Sequence, residues 1–318
     1  MLLKGISKSN SYDSEKDVCF ILGDVFKQIK KIPDESINLI ITSPPYNLNK
    51  EYEERKAFQT YLDEMNPLLN ELKRVLKPNG SICWQVGNHI GKSKVGSTGE
   101  IYPLDIFYYE KFKDLNFQLR NRVIWHFRSG LHAQNRLSGR YETMLWFTKS
   151  DKYIFNLDDI RVPQKYQGKK YHKGKKHGQL SGNPKGMNPS DFWSLMDSEF
   201  ELGLWDFPNV KANHPEKITH PCSYPIELVE RCVLAFSEEG DTVLDPFAGV
   251  GTTILGAIMN DRKVIGCELS KEYMKVAKHR VTLLEKNELP YRKRGKPIAE
   301  ASGSVAEKVF EKKNADLF

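Results

Sequence analysis

Several features that would assign this 318-residue chain to other classes of protein are missing from it. It has no run of 18 apolar residues, so we expect no membrane span. Its first 17 residues are polar after Leu3 and lack the apolar core of a secretion signal, which favours a cytoplasmic location. The five cysteines include no C-x-x-C pair and the eight histidines form no evident ligand pair, so we expect no disulfide framework and no metal site. Most of the cysteines are therefore expected to be small core residues.

Acidic residues are missing from one stretch of the chain. Residues 161–188 contain eight Lys or Arg and no Asp or Glu, although the net charge of the whole chain is only +7. A basic block on a nearly neutral body is typical of a surface that binds a polyanion. A solvated, disordered loop is the alternative.

Strand and helix patterns alternate through most of the sequence. Short apolar runs predict strands over 18–24, 36–42, 81–87, 123–127, 142–148, 241–245 and 263–269. Helical spacing predicts helices over 25–32, 61–77, 101–117, 226–236, 252–260 and 271–285. This alternation indicates an α/β fold with a mostly parallel sheet. The α/β domain is expected to be discontinuous (1–150 and 211–285), with a loop-rich insertion (151–210) and a basic polar tail (286–318).

The stretch "VLDPFAGVGTT" (Val243–Thr253) reads as a strand, an acidic residue, a Gly-x-Gly turn and a helix start. Such a turn lets the backbone approach a ligand closely. Glu268, 17 residues after Gly251, ends the next strand, where a carboxylate can accept both hydroxyls of a ribose. Asp245 would repel a pyrophosphate, and Ile254 replaces the third glycine of dinucleotide-binding proteins. S-Adenosylmethionine, which is cationic, fits this pattern better. A purely structural turn is the alternative.

Two motifs, in a particular order, resemble those of a known family. "TSPPYN" (Thr42–Asn47) resembles the catalytic motif of bacterial DNA amino-methyltransferases, and "DPFAGVGTT" resembles their cofactor motif. The catalytic motif comes first, and "HPCSYPIELVERC" directly precedes the cofactor strand, as in the permuted beta class of that family. The resemblance covers residues 18–150 and 213–282, and "RYETMLWFTK" matches a further family block. It implies a Rossmann-like methyltransferase sheet with a target-recognition region in the insertion.

The resemblance also implies roles for individual residues. The residues that would form the turn and line the methionine end of the cofactor are Asp245, Phe247, Gly249, Gly251 and Thr252. Glu268 would hold the ribose, Asp24 would face the adenine edge, and Tyr224 and Pro225 would border the methionine. Helix capping is the simpler role for Asp24. Pro221-Cys222 lies before a helix, out of the context of a nucleophilic cysteine, and is not assigned a catalytic role.

The implied catalytic residues are Ser43, Pro44, Pro45 and Tyr46. The amino group of a base is a poor nucleophile, and acceptors such as the Ser43 hydroxyl and the Pro44 carbonyl free its lone pair. The prolines fix the loop, and Tyr46 can stack on the base. A base in a duplex must first be flipped out. The expected phosphate contacts are Arg136, Arg140, Lys165, Lys169, Lys170, Lys173, Lys175 and Lys176.

Serine at the first catalytic position is more typical of cytosine-N4 relatives, whereas adenine-N6 relatives more often carry aspartate. The block His220–Pro225 also departs from the adenine-type pattern, which has Lys before the last proline. We therefore expect cytosine-N4 methylation of double-stranded DNA by a monomer or homodimer, with a cognate restriction endonuclease as a candidate partner. Adenine-N6 methylation, an RNA or protein-amide substrate, and a non-catalytic DNA-binding module are the alternatives.

Overall fold

The computed structural model describes residues 5–48, 55–91, 99–127, 133–164, 166, 168–193, 210, 215–217 and 224–292. The strands in these ranges are β1 (Lys8–Ser9), β2 (Val18–Leu22), β3 (Ile37–Thr42), β4 (Leu76–Val86), β5 (Asn88–Ile90), β6 (Ile101–Pro103), β7 (Gln118–His126), β8 (Tyr141–Thr148), β9 (Phe192–Trp193), β10 (Thr242–Asp245) and β11 (Lys263–Glu268).

The helices lie between these strands. They are α1 (Val25–Gln28), α2 (Phe58–Glu64), α3 (Asn66–Val75), α4 (Leu104–Asp114), α5 (Ile226–Phe236), α6 (Thr252–Ile258) and α7 (Lys271–Glu285), with 3₁₀ turns at Ile29–Lys31 and Leu157–Ile160. Most of these helices are short, so tertiary packing of their apolar faces contributes more to their stability than intrinsic propensity does.

One nine-stranded sheet has the order β1-β2-β11-β10-β3-β4-β8-β7-β9, and β5 pairs with β6 in a separate ribbon. The six strands from β1 across to β4 are parallel, and β8 runs antiparallel to both β4 and β7. The predicted α/β fold with a mostly parallel sheet is therefore confirmed.

Helices cover both faces of this sheet. Leu39 and Ile41 of β3 pack on one face with apolar residues of α5, α6 and α7, whereas Ile40 packs on the other with residues of α2, α3 and α4. Every residue of β3 is buried. A strand covered on both faces carries a continuous apolar run, as the sequence of β3 does.

Most predicted elements are present, but several have different bounds. The single helix expected over 61–77 is two helices, α2 and α3. The helix expected over 25–32 is the short α1 followed by a 3₁₀ turn. The helix expected over 101–117 begins only at Leu104, because residues 101–103 form β6. The strand expected from Ser81 begins at Leu76, where it pairs with Ile37 before a register shift. The strand expected over 123–127 is longer (β7, Gln118–His126), and β9 pairs with it.

Part of the segment 151–210 packs onto the sheet. Ile160, Val162 and Trp193 belong to the same hydrophobic cluster as the helices α5 to α7. The basic stretch 169–181 folds back on itself, with Tyr171 and Ser181 donating backbone hydrogen bonds to Gln179 and Lys169. The proposed domain boundaries stay a prediction. Beyond residue 286, the structure describes only the first few tail residues, among them a buried Arg292 paired with Glu227 at 2.7 Å.

Four cysteines (Cys19, Cys83, Cys232 and Cys267) are free and buried, whereas Cys222 lies outside the described residues. Within the described ranges, no helix is long and apolar enough to cross a bilayer. The same ranges contain no group of three or more His, Cys, Asp or Glu side chains that could hold a metal ion.

Candidate functional site

A cavity of about 690 Å³ opens at the carboxyl edge of the parallel strands. This is where ligands bind in open α/β sheets, because the loops after adjacent strands converge there. Ten of the thirteen residues predicted to act in catalysis or cofactor binding line it: Asp24, Ser43, Pro44, Pro45, Tyr46, Tyr224, Phe247, Gly249, Thr252 and Glu268. The two motifs, some 200 residues apart in sequence, therefore line a single cavity, because the strands that precede them, β3 and β10, are neighbours in the sheet.

Asp245 lies beneath the cavity wall and not in it. Its carboxylate accepts hydrogen bonds from the Thr42 hydroxyl at 2.7 Å, the Phe247 backbone N–H at 3.0 Å and the Tyr224 hydroxyl at 3.3 Å. Tyr224 also lies 2.6 Å from the Thr253 hydroxyl. Burial raises the pKa of the Asp245 carboxyl, since desolvation disfavours its charged form. Asp245 thus joins the strand before the catalytic loop to the glycine turn, and its direct contact with a cofactor stays a prediction.

The glycine turn has two left-handed residues, Gly249 (φ 50°) and Gly251 (φ 81°). A Cβ on Gly251 would lie 2.8 Å from the Cβ of Ala277, so this glycine allows the start of α6 to approach α7. Arg280, buried on α7, donates to the Val250 carbonyl at 2.9 Å. Gly251 and Pro225 lie outside the cavity lining, and Pro225 instead precedes α5 as its N-cap.

Glu268 is held in place by backbone groups on either side of the cavity edge. One carboxylate oxygen accepts from the Gly249 N–H at 2.8 Å, and the other accepts from the Ser270 N–H at 2.7 Å. Each oxygen keeps a further lone pair, so the carboxylate can accept two more hydrogen bonds. This suits the two hydroxyls of a ribose. Burial raises the pKa of the Glu268 carboxyl above its usual range.

Asp24 is a helix-capping residue that also lines the cavity, and its contact with the adenine edge stays a prediction. Its side chain caps α1 by accepting from the Phe26 N–H at 3.0 Å. On the neighbouring strand β11, Cys267 also lines the cavity, and burial raises the pKa of its thiol to about 12, which keeps it protonated and unreactive at neutral pH. Neither residue supplies a nucleophile.

The loop after β3 carries a pair of hydroxyl groups. Ser43 Oγ and Tyr46 Oη are 2.8 Å apart, and Tyr46 Oη is also 3.4 Å from a carboxylate oxygen of Glu142 on β8. The loop backbone is fixed by two more side chains: Tyr61 donates to the Pro45 carbonyl at 2.8 Å, and His89 Nδ1 lies 3.1 Å from the Tyr46 carbonyl.

Sequence reasoning did not assign these supporting residues. Glu142, whose carboxylate also contacts the Gln85 side chain, stands inside the block "RYETMLWFTK", and the likeness of that block to the family was the only signal for it. Tyr61 and His89 carry no local pattern that marks them, because their role depends on the three-dimensional approach of α2 and β5 to the loop.

Those residues predicted to contact DNA that the structure describes are not part of the cavity lining. Lys169, Lys170, Lys173, Lys175 and Lys176 are all exposed on the basic stretch, and Lys165 is outside the described residues. Lys169 and Lys176 lie over the rings of Tyr166 and Tyr171 at 5.8 and 5.9 Å. Arg136 and Arg140 lie between β7 and β8, where they donate to the Gly99 and Gly139 carbonyls at 3.3 and 3.0 Å.

The chain matches a family described as DNA methylase over residues 37–279. It is 45% identical to the type II methyltransferase M.BglII of Bacillus subtilis over 255 residues, which cover 80% of this chain and 66% of that protein. It is 32% identical to the DNA adenine methyltransferase YhdJ of Escherichia coli (strain K12), with 82% of this chain and 81% of that protein covered.

A solved structure shares the fold. The protein TTHA0409 of Thermus thermophilus, in complex with S-adenosyl-L-methionine, aligns with a TM-score of 0.55 and 25% sequence identity. The alignment covers 85% of this chain and 95% of that one. The sheet and its surrounding helices are therefore a known arrangement.

We predict that Thr42→Val lowers stability by about 1–3 kcal/mol, since it removes a buried hydrogen-bond donor from the Asp245 carboxylate without changing side-chain shape. Urea unfolding measures the change. Thr143→Val is the matched control: it is also a buried strand threonine, but its hydroxyl makes only a 3.4 Å contact with the Val86 carbonyl. Equal effects of the two substitutions would contradict the importance given to the Thr42–Asp245 hydrogen bond.

Proposed function

The chain belongs to the DNA methylase family that modifies exocyclic amino groups with S-adenosylmethionine as methyl donor, and we propose that its target is the N4 amino group of a cytosine flipped out of duplex DNA. One observation carries the proposal: the Ser43–Tyr46 loop and the glycine turn line the same cavity. A base that entered beside Ser43 would thus face the methyl donor bound at the turn.

The charge and the hydrogen-bonding groups of the cavity residues support S-adenosylmethionine as the cofactor bound here. Glu268 offers its remaining lone pairs to the ribose, Asp24 faces the same space, and Phe247 gives an apolar wall. Bound S-adenosylmethionine supplies an electrophilic methyl group next to a sulfonium centre. The acidic lining, with Asp245 beneath it, complements that positive charge.

The Ser43–Tyr46 loop would hold the amino group of the base in a reactive geometry. The Ser43 hydroxyl and the Pro44 carbonyl would accept its hydrogens, which localises the lone pair on nitrogen and directs it at the methyl carbon. The Tyr46 ring would stack on the base. In the free protein, the hydroxyls of Ser43 and Tyr46 hydrogen-bond to each other. An amino group that enters the cavity would therefore replace Tyr46 as the hydrogen-bond partner of Ser43.

The choice of cytosine rests on Ser43. Aspartate, which is more common at this position in adenine-directed relatives, brings a negative charge that serine lacks. The relative YhdJ, named as an adenine methyltransferase, shows that sequence similarity to this chain does not select the base. Adenine N6 is therefore the alternative target.

Duplex DNA, not RNA or a protein amide, is the substrate we favour, and restriction–modification is the setting. The exposed lysines of 169–181 support a polyanion with an extended charged backbone. The relative M.BglII is a type II methyltransferase, which favours a cognate restriction endonuclease that recognises the same sequence.

Mass spectrometry of nucleosides tests the base assignment. We expect that duplex DNA incubated with the protein and S-adenosylmethionine yields N4-methylcytosine, and that sequencing places the mark at one short recognition site. Detection of N6-methyladenine alone would overturn the base assignment. The absence of any methylated nucleoside, with DNA from several sources, would overturn the whole proposal. Incubation with the Asp245→Ala variant controls for contaminating activity.

We expect Ser43→Ala to slow single-turnover methyl transfer by about tenfold or more while cofactor affinity stays the same, because it removes an acceptor for the hydrogens of the reacting amino group. Tyr46→Phe is the matched variant, since it deletes the other hydroxyl of the 2.8 Å pair but keeps the ring. If Ser43 only oriented Tyr46, the two variants and their double mutant would show one identical defect. A wild-type rate in Ser43→Ala would refute its assigned role.

The basic stretch should bind phosphates of the DNA backbone. We predict that alanine at Lys169, Lys170, Lys175 and Lys176 weakens DNA binding and reduces the slope of log affinity against log salt by about 0.9 for each phosphate that is no longer neutralised. Lys113→Ala is the control, because Lys113 is likewise exposed and lies over a tyrosine ring (Tyr109, 5.9 Å) but stands on α4. An unchanged slope would identify the stretch as a solvated loop.

A further inference from the structure

Leu137 is the most exposed large apolar side chain in the ranges that the structure describes. It is 95% exposed, whereas the next, Leu269, is 67% exposed and lines the cavity. Isolated apolar side chains on a surface are common, but the other large apolar side chains of the described ranges each bury about a third of their area or more. Leu137 buries almost none of its side chain, so packing within the free protein does not explain why an apolar residue stands there.

Two hydrogen bonds hold the described part of the loop that carries Leu137. Phe127 donates its backbone N–H to the Arg140 carbonyl at 2.8 Å, and the Ser138 hydroxyl accepts from the Ala133 N–H at 3.1 Å. These bonds form a turn over residues 133–138 with Leu137 pointing outward. The exposure of Leu137 therefore belongs to a defined turn.

This turn stands at the same edge of the sheet as the cavity. Because β8 is antiparallel to β4, its first residues lie at the carboxyl edge of the parallel strands. Glu142, the second residue of β8, has a carboxylate oxygen 3.4 Å from Tyr46 Oη. Leu137 is five residues earlier, so its Cα lies within about 17 Å of the Glu142 Cα even for a fully extended chain.

The charge around Leu137 suits a nucleic acid. The sequence from Phe127 to Tyr141 contains three arginines and no acidic residue. Two of them, Arg136 and Arg140, are described and lie on either side of Leu137. Proteins that kink DNA or open its stack use this combination, with basic side chains on the phosphates and an apolar side chain between the bases.

We propose that Leu137 inserts into the duplex and fills the space that the flipped target base leaves in the stack. It is a positioning residue, since it would touch neighbouring bases and not the reacting atoms. The inference rests on the proposed function, because it needs a base that leaves the duplex to enter the Ser43–Tyr46 cavity. Filling the gap would hold the base in its flipped position during methyl transfer.

Single-turnover methylation of two duplexes tests this role. Both carry the recognition site identified by sequencing, but in one the target base is mismatched and therefore already unpaired. We expect Leu137→Ala to slow methylation of the matched duplex by about tenfold and that of the mismatched duplex by less than about twofold, because the mismatch removes much of the cost of flipping. Leu137→Met, which keeps an apolar side chain of similar length, should restore the rate on the matched duplex.

Ile106→Ala is the matched control, since Ile106 is an exposed apolar side chain (53%) on α4, and it should leave both rates unchanged. A wild-type rate of Leu137→Ala on the matched duplex would overturn the inference and leave the proposed function intact. Equal slowing on both duplexes would also overturn it, since a wedge has nothing to add once the base is unpaired. If wild-type protein methylates neither duplex, the failure lies in the proposed function and the inference falls with it.

Discussion

The buried carboxylate of Asp245 is the point on which the rest of the site depends. A charge this deep is tolerated only if its oxygens are satisfied, and here the donors are Thr42, Tyr224 and the Phe247 backbone N–H. Thr42 ends the strand before the catalytic loop, Tyr224 leads into α5, and Phe247 begins the glycine turn. One desolvated group therefore fixes three separate segments in register. The site is built from loops, but its geometry is set by this hydrogen-bonded group below the cavity floor.

Much of the fold and part of the site could be predicted from sequence, for identifiable physical reasons. The apolar runs of β3, β10 and β11 read as buried strands because parallel strands are covered on both faces. Ser43, Tyr46 and Glu268 follow or end such strands, so the sheet alone brings them to one edge. Glu142, Tyr61 and His89 could not be found in this way, because β8 is antiparallel and α2 and β5 approach from elsewhere in the chain. Asp245 was found, but its hydrogen bonds to Thr42, Tyr224 and the Phe247 backbone beneath the cavity wall were not, because they depend on the folded arrangement of three segments.

The cavity lining and the protein surface outside it carry charges of opposite sign. The cavity is lined by Asp24 and Glu268, which complement a sulfonium and an ammonium. Outside it, Arg136, Arg140 and the exposed lysines of 169–181 carry positive charge. Under the proposed function, a cationic cofactor and an anionic polymer would therefore bind to different groups.

The hydrogen bond between Thr42 and Asp245 joins residues 203 positions apart. At ribosomal speeds of about 5–20 residues per second, Asp245 is synthesised on the order of 10–40 seconds after Thr42. During that interval, the nascent chain carries the Ser43–Tyr46 loop and then the basic stretch without the glycine turn or Glu268. It can be drawn to a polyanion before it has a place for a methyl donor. The order of the motifs along the chain thus means that the cavity can form only after the last strands of the sheet, β10 and β11, have been made.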